Sequence, residues 1–161
     1  MKRILVLLAV VVCYSCQKEN IQEPMSNYIT ANLTLNTDSL LLSTIGTIAF
    51  NNNSNKDFNY PAHVSVQLFD TINKVDYYSY INLDSDNYSS IENEQQECNI
   101  SINKLSSYSK SIDFSLLYWN EGISFIELPA STYNLHVNLY ILEPSNPGNW
   151  IRTDIILISK K

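Results

Sequence analysis

The chain has little of what most catalytic or metal sites require. Its 161 residues include three cysteines, two histidines and three glycines. No glycine-rich phosphate loop or Gly-x-Ser-x-Gly turn is present, and neither histidine lies in a His-Glu-x-x-His pattern. The sequence therefore predicts no catalytic residues, no metal site and no cofactor, and the protein is not expected to be an enzyme.

Positive charge is also scarce. Ten lysines and arginines stand against 16 aspartates and glutamates, which gives a formal net charge of -6. Binding to a nucleic-acid backbone depends on a basic surface. Nucleic acid is therefore not expected as a partner.

Long hydrophobic runs are lacking except near the N-terminus, where residues 4–12 are all apolar. This run follows Lys2 and Arg3 and precedes Ser15. Nine residues are too few for a transmembrane helix, which needs about 20. A basic start, a short apolar run and a small residue at a cleavage point are typical of an export signal.

The end of this segment, Ser15-Cys16 followed by Gln-Lys-Glu-Asn, resembles the lipobox of bacterial lipoproteins. The likeness covers the first twenty or so residues, and Cys13 and Tyr14 depart from the usual leucine and small residue. It implies a signal peptide at residues 1–15, acyl chains such as palmitate on Cys16, and lipid anchoring in the outer membrane, facing the cell surface. An ordinary signal-peptidase site, with Cys13 and Ser15 as its small residues, is the alternative.

The mature chain is predicted to contain a tether and one domain. Residues 16–27 are polar and include Pro24, which is typical of a flexible linker. Residues 28–161 are long enough for a single core. Cys98 is then the one cysteine left in the domain, so we expect no disulfide framework and a structural role for Cys98 on a buried strand face.

Apolar and polar residues alternate with a period of two through most of the domain. The predicted strands are residues 28–35, 40–50, 63–69, 75–83, 98–102, 112–119, 123–128, 133–142 and 151–159. Turn residues separate them, including the run of asparagine and serine at 51–55 and Pro61. This spacing predicts an all-β fold, an antiparallel β-sandwich of immunoglobulin-like or transthyretin-like type, with a small β-barrel as the alternative.

Three short motifs are weak indications of modification or ion binding. Asp84-Ser-Asp86 supplies oxygen ligands but lacks the glycine and glutamate of a calcium loop, so a solvated loop is expected. Asp38-Ser39 and Asp70-Thr71 resemble a bacterial O-glycosylation signal and are equally good turn residues.

Aromatic residues are the strongest indication of a binding surface. Tyr78 and Tyr80 are two residues apart and should share one strand face, while Trp119 flanks a turn. An exposed aromatic ring can stack on a sugar or anchor a protein partner. Tyr78, Tyr80 and Trp119 are therefore the predicted ligand-binding residues.

Two functions of different class remain open. The first is a noncatalytic cell-envelope lipoprotein whose β-domain binds a glycan or protein partner or takes part in a surface assembly. The second is a small exported enzyme with an unrecognised site, which would need a pocket where His63 or His136 meets carboxylates.

The lipobox likeness gives a direct test at Cys16. Metabolic labelling with a fatty acid should mark the wild-type protein and not Cys16→Ala, because the thiol carries the diacylglycerol in such proteins. Equal labelling of both proteins would show that Cys16 is not the lipid attachment site.

Overall fold

The structure is a computed structural model that describes residues 24–83, 97–144 and 149–161. The strands in these ranges are β1 (Ile29–Leu35), β2 (Ile45–Asn52), β3 (Phe58–Asp70), β4 (Asp76–Ile81), β5 (Cys98–Ile102), β6 (Ser107–Asp113), β7 (Tyr118–Trp119), β8 (Ile123–Ser124), β9 (Ser131–Ile141), β10 (Asn149–Arg152) and β11 (Ile156–Lys160). The described helical segments are short 3-10 turns at Met25–Tyr28, Phe114–Leu116, Asn120–Gly122 and Phe125–Glu127.

The strands form two principal antiparallel sheets and a small hairpin. The smaller sheet has the order β1-β2-β6. In the larger sheet β3 and β9 lie at the centre, β4 and β5 pair with β3, and β10 and β11 pair with β9. Side chains from both sheets form one core, and the described strands do not close into a barrel. The predicted antiparallel β-sandwich is confirmed.

The two central strands show why the period-two pattern produces this fold. β3 and β9 pair at nine positions, from Ala62 with Ile141 to Asp70 with Tyr133. Alternate residues point to the core, and Val66 and Val137, which face each other there, are fully buried. Burying one such side chain contributes roughly 1.5 to 3 kcal/mol, so this face supplies much of the driving force for folding.

The observed strand ends differ from the predicted ones where side chains bind the backbone. Residues 40–44 form a turn, because the Thr44 hydroxyl accepts from the Leu41 N–H at 2.7 Å and donates to the Ser39 carbonyl at 3.1 Å. β2 therefore begins at Ile45. β6 ends at Asp113, whose carboxylate accepts from the Ser115 N–H at 2.9 Å and starts a 3-10 turn.

Two further predictions about strands were wrong. Pro61 is not a break, because β3 continues through it while its partner changes from β5 to β4. The Pro61 carbonyl still accepts the Leu142 N–H at 2.9 Å. Only the last two residues of β6 fell within a predicted strand, since its core-facing side includes Lys110 and Tyr108 and so lacks an apolar alternation.

Cys98 is buried on β5 as predicted, and its thiol donates to the Ala62 carbonyl at 3.4 Å.

The folded part begins before Tyr28, which was the predicted boundary. Met25 and Ser26 are buried, and their N–H groups donate to the two carboxylate oxygens of Glu143 at 2.9 and 3.0 Å. Glu143 itself is buried just after β9. A buried carboxylate that accepts two backbone N–H groups fixes the point where the chain enters the domain.

Asp70 organises the turn between β3 and β4. It is fully buried, and one carboxylate oxygen accepts from the N–H groups of Ile72 and Asn73 and from the Ser131 hydroxyl. Burial alone would raise the pKa of Asp70, but these hydrogen bonds outweigh it and lower the pKa to about 2. The Thr71 hydroxyl donates to the Thr132 carbonyl at 2.8 Å, so Asp70-Thr71 is a structural turn.

The other short motifs have different outcomes. Asp38 is exposed and Ser39 is half-buried, so that motif stays at the surface. The acidic loop at Asp84-Ser-Asp86 lies outside the described residues.

The hydrogen bonds of Asp70 predict that replacing its carboxylate by an amide lowers the stability of the domain. Asp70→Asn should lower the free energy of unfolding by about 1 to 3 kcal/mol, because its amide would place a donor against the Asn73 side-chain N–H group. Urea unfolding at pH 7 measures this. Asp38→Asn, at an exposed aspartate, is the matched control and should change stability little.

The same variant has a pH signature. The folded pKa of about 2 lies below the unfolded value of 3.8, so the stabilisation by Asp70 is present above pH 3.8 and is lost as the pH falls towards 2. Asp70→Asn should lack this part of the acid dependence. An unchanged acid profile would contradict the assignment.

Candidate functional site: the outer face of the larger sheet

Polar and aromatic side chains come together on the outer face, meaning the side chains of β3, β4, β9 and β10 that point away from the core. The strand register arranges them in four rows across the sheet. The first row holds Trp150, Tyr140 and His63; the second holds Arg152, Asn138, Ser65 and Tyr80; the third holds His136, Gln67 and Tyr78; the fourth holds Asn134, Phe69 and Asp76. Rows are about 7 Å apart and strands about 4.8 Å apart.

The first row is a continuous run of rings, which we call the aromatic row. The Trp150 and Tyr140 ring centroids are 4.7 Å apart, and those of Tyr140 and His63 are 6.2 Å apart with nearly parallel planes. Trp150 is 59% exposed, while Tyr140 and His63 are half-buried. The row therefore presents ring surface to solvent on three neighbouring strands.

A hydrogen-bonded network occupies the other three rows of the face. The Gln67 side-chain oxygen accepts from Asn138 at 3.2 Å and lies 2.9 Å from His136 Nε2, while the Gln67 amide donates to Asp76 at 3.0 Å. Arg152 Nε donates to the Asn138 side-chain oxygen at 3.0 Å. Four strands are thus linked by side chains on one face, which holds these groups in fixed positions.

His136 is the most enclosed member of this network. Although His136 lies on the outer face, only 6% of it is exposed. Because Gln67 presents an acceptor, His136 Nε2 carries the hydrogen, and Nδ1 is buried with no partner among the described residues. Burial and the Arg152 charge lower the pKa of His136, against a smaller opposing effect of Asp76, so its ring is neutral at pH 7.

Tyr78 and Tyr80 lie on this face, as their spacing predicted. Their ring centroids are 5.7 Å apart in an edge-to-face arrangement. Tyr78 is 38% exposed and Tyr80 is half-buried. These two rings flank the polar network on the side opposite Trp150 and Tyr140.

Trp119, the third predicted residue, is not part of the surface. It is fully buried, and its indole nitrogen has no hydrogen-bond partner among the described residues. The turn that follows it packs beside β4, where the Asn120 side chain accepts the Tyr78 N–H at 3.0 Å. Trp119 therefore fills the core and cannot stack on a ligand arriving from solvent.

Tyr140, Trp150 and Arg152 were not predicted as site residues. Tyr140 continues the polar alternation of Asn134, His136 and Asn138 along β9, which was a usable signal. The pairing of β10 with β9 across residues 142–148 was not visible in the sequence, and this pairing brings Trp150 and Arg152 to the same face.

Cavities also lie elsewhere on the domain, and one of about 500 Å³ is lined mainly by the polar residues at 53–56 with Met25, Tyr28 and Leu105. A cavity of about 290 Å³ at the other end of β9 is lined by Leu41, Leu42, Phe125, Ile126 and Lys160. The Lys160 ammonium donates to the carbonyls of Ile126 and Leu128. Across the described ranges, no group of three or more histidine, cysteine or acidic side chains is placed to hold a metal ion.

No helix within the described residues is long and apolar enough to span a membrane.

Comparisons with known proteins identify the fold. No family model and no curated protein sequence matches the chain. The chain is similar to the crystal structure of the C-terminal domain of wzt, with a TM-score of 0.50 and 14% identity, covering 83% of this chain and 74% of that one. It is also similar to Spo0M, a sporulation control protein from Bacillus subtilis, with a TM-score of 0.43 and 12% identity, covering 83% of this chain and 49% of Spo0M. The likeness to the wzt domain shows a shared β fold.

The burial of His136 predicts a pH dependence of stability. Because its folded pKa lies below the unfolded value of 6.5, the unfolded chain binds the proton more readily, and stability should fall as the pH drops below about 6.5. His136→Gln cannot take up this proton. Urea unfolding between pH 5 and 8 should therefore show a shallower acid-side loss for the variant, with parallel curves between pH 7 and 8. Parallel curves down to pH 5 would contradict the assignment.

Proposed function

We propose that this protein is a noncatalytic, lipid-anchored protein of the cell envelope whose β-domain binds a glycan on the outer face of the larger sheet. The aromatic row, Trp150, Tyr140 and His63, is the observation that carries the proposal. The rings expose apolar surface on neighbouring strands of a rigid sheet, with the Trp150 plane tilted by 41° from that of Tyr140. The C–H face of a sugar ring packs on such ring surfaces. The hydrogen-bonded network around Gln67 holds the neighbouring part of the face in place.

The arrangement is suited to binding more than to catalysis. A general base needs a reachable nitrogen or carboxylate with a suitable pKa. His136 Nδ1 is buried, and Nε2 is used by Gln67. Asp76 accepts from the Gln67 amide on the far side of the face. These groups support one another and hold the shape of the surface.

The proposed lipid anchor is inferred from the N-terminal sequence. The likeness of Ser15-Cys16 to a lipobox suggests acyl chains on Cys16, and two or three such chains give nearly permanent membrane residence. Glu143 binds the N–H groups of Met25 and Ser26, so the domain itself starts a few residues after the lipid. The outer membrane, with the domain facing outwards, is the proposed location.

The proposal predicts that the aromatic row carries the affinity. A glycan array should yield binders of the soluble domain, and Trp150→Ala or Tyr140→Ala should weaken the best of them by about 1 to 3 kcal/mol, which is roughly 5- to 150-fold. Isothermal titration measures the change, and circular dichroism verifies that the fold persists.

A matched control separates ring stacking from general loss of a surface aromatic. Tyr28 is 38% exposed, like Tyr78, but lies at the start of the smaller sheet. Tyr28→Ala should leave binding unchanged while Tyr78→Ala weakens it. Equal binding by the wild type and all aromatic-row variants would contradict the proposal, and turnover of a glycan that depends on His63 or His136 would replace it with an enzymatic function.

A further inference from the structure

Next to its most exposed ring, the outer face carries a cation, Arg152, that a hydrogen bond holds in place. We propose that its ligand is an acidic glycan, in which a carboxylate or phosphate group on the stacked sugar binds the guanidinium of Arg152. This inference rests on the proposed function and names the chemical class of its ligand.

The position of Arg152 is set by the register. Trp150 and Arg152 are two residues apart on β10, and both are exposed on the same face. Two residues along a strand span about 7 Å, which the long arginine side chain can bridge. A substituent on a sugar ring that lies over Trp150 and Tyr140 therefore falls within reach of the guanidinium.

One hydrogen bond orients the Arg152 guanidinium, and its terminal N–H groups are available for a ligand. Its Nε donates to Asn138, and Asn138 in turn donates to Gln67. No carboxylate among the described residues forms an ion pair with Arg152, including exposed Asp154 two positions further on. The terminal N–H groups therefore remain for a ligand. A planar fork of donors suits carboxylate and phosphate oxygens, which accept two hydrogen bonds at once.

The acidic residue within the hydrogen-bonded network does not cancel this cation. Asp76 lies on the same face, and its Cα atom is three strands and two rows away from that of Arg152, roughly 20 Å by sheet geometry. It also accepts from Gln67. Charges that are separated by more than about 10 Å are largely screened at 0.1 M salt, so the net charge of -6 does not decide the local preference.

The neutral state of His136 is consistent with Arg152 as the cation that binds the ligand. Arg152 helps to keep its pKa low, and the imidazole therefore adds no second positive charge beside Arg152 at pH 7. Beside Trp150 the positive charge is that of one guanidinium, because the Lys74 ammonium lies over the Phe69 ring at the other end of the face. This favours a ligand with a single anionic group next to Trp150.

Matched pairs of glycans test the inference. The probes are oligosaccharides that contain uronic acid with their carboxyl-reduced forms, and phosphorylated oligosaccharides with their dephosphorylated forms. The soluble domain should bind an acidic member at least tenfold more tightly than its neutral partner, and which pair shows the larger ratio distinguishes carboxylate from phosphate. Raising the salt from 0.05 to 0.5 M should reduce the preference.

Substitutions at Arg152 and Lys56 test whether the Arg152 guanidinium causes the preference for acidic glycans. Arg152→Gln should abolish the acidic preference while changing affinity for the neutral probes less than about twofold, and Arg152→Lys, which keeps the charge without the fork, should retain part of it. Lys56→Gln removes an exposed cation from another part of the domain and should leave the preference intact. Thermal unfolding of each variant checks that the network around Asn138 persists.

The outcomes separate this inference from the function on which it rests. Equal binding of acidic and neutral probes, lost in Trp150→Ala and kept in Arg152→Gln, would overturn the acidic preference and leave glycan binding in place. Binding of no glycan by the folded domain would overturn both. An acidic preference that survives Arg152→Gln would also overturn the inference.

Discussion

The pairing of β3 with β9 is the constraint on which both the core and the candidate site depend. Nine paired positions place Val64, Val66 and Leu68 against the apolar residues of β9 on one side of the sheet. The same register places His63 beside Tyr140 and Gln67 beside His136 on the other side. A slip of one residue would exchange the two faces, so burial of the core also determines the composition of the outer surface.

The outer face combines rigidity with exposed ligand groups. The links from Asp76 through Gln67 and Asn138 to Arg152 join four strands. Asn138 at its centre is buried, and leaving this side chain unpaired would cost about 1 to 3 kcal/mol, so the network resists rearrangement. The exposed ligand groups on the face include the Trp150 and Tyr78 rings and the Arg152 fork. A surface with prearranged groups loses less entropy on binding than a flexible one.

The sequence pattern predicted the features that depend on the spacing of residues within a single strand. Tyr78 and Tyr80 share a face because they are two residues apart in a strand, and the sandwich follows from repeated alternation. Trp119 has the same sequence signature as an exposed ring, and its burial depends on how the β7-β8 hairpin packs beside β4. Trp150 reaches the site through pairing of β10 with β9, which no short segment encodes. The central polar residues of the face were visible in the sequence as an alternation, but the contacts that join them come from three different strands.

The two tryptophans offer the most direct measurement, because Trp150 is 59% exposed on the outer face and Trp119 is fully buried away from it. In an NMR titration of the nitrogen-15-labelled domain with the best glycan from an array, the indole N–H of Trp150 and the Nε–H of Arg152 should shift with backbone amides of β3, β9 and β10. The indole of Trp119 and the amides of the smaller sheet should remain in place. Shifts confined to the smaller sheet or to Trp119, with Trp150 unmoved, would contradict the outer face as the binding surface.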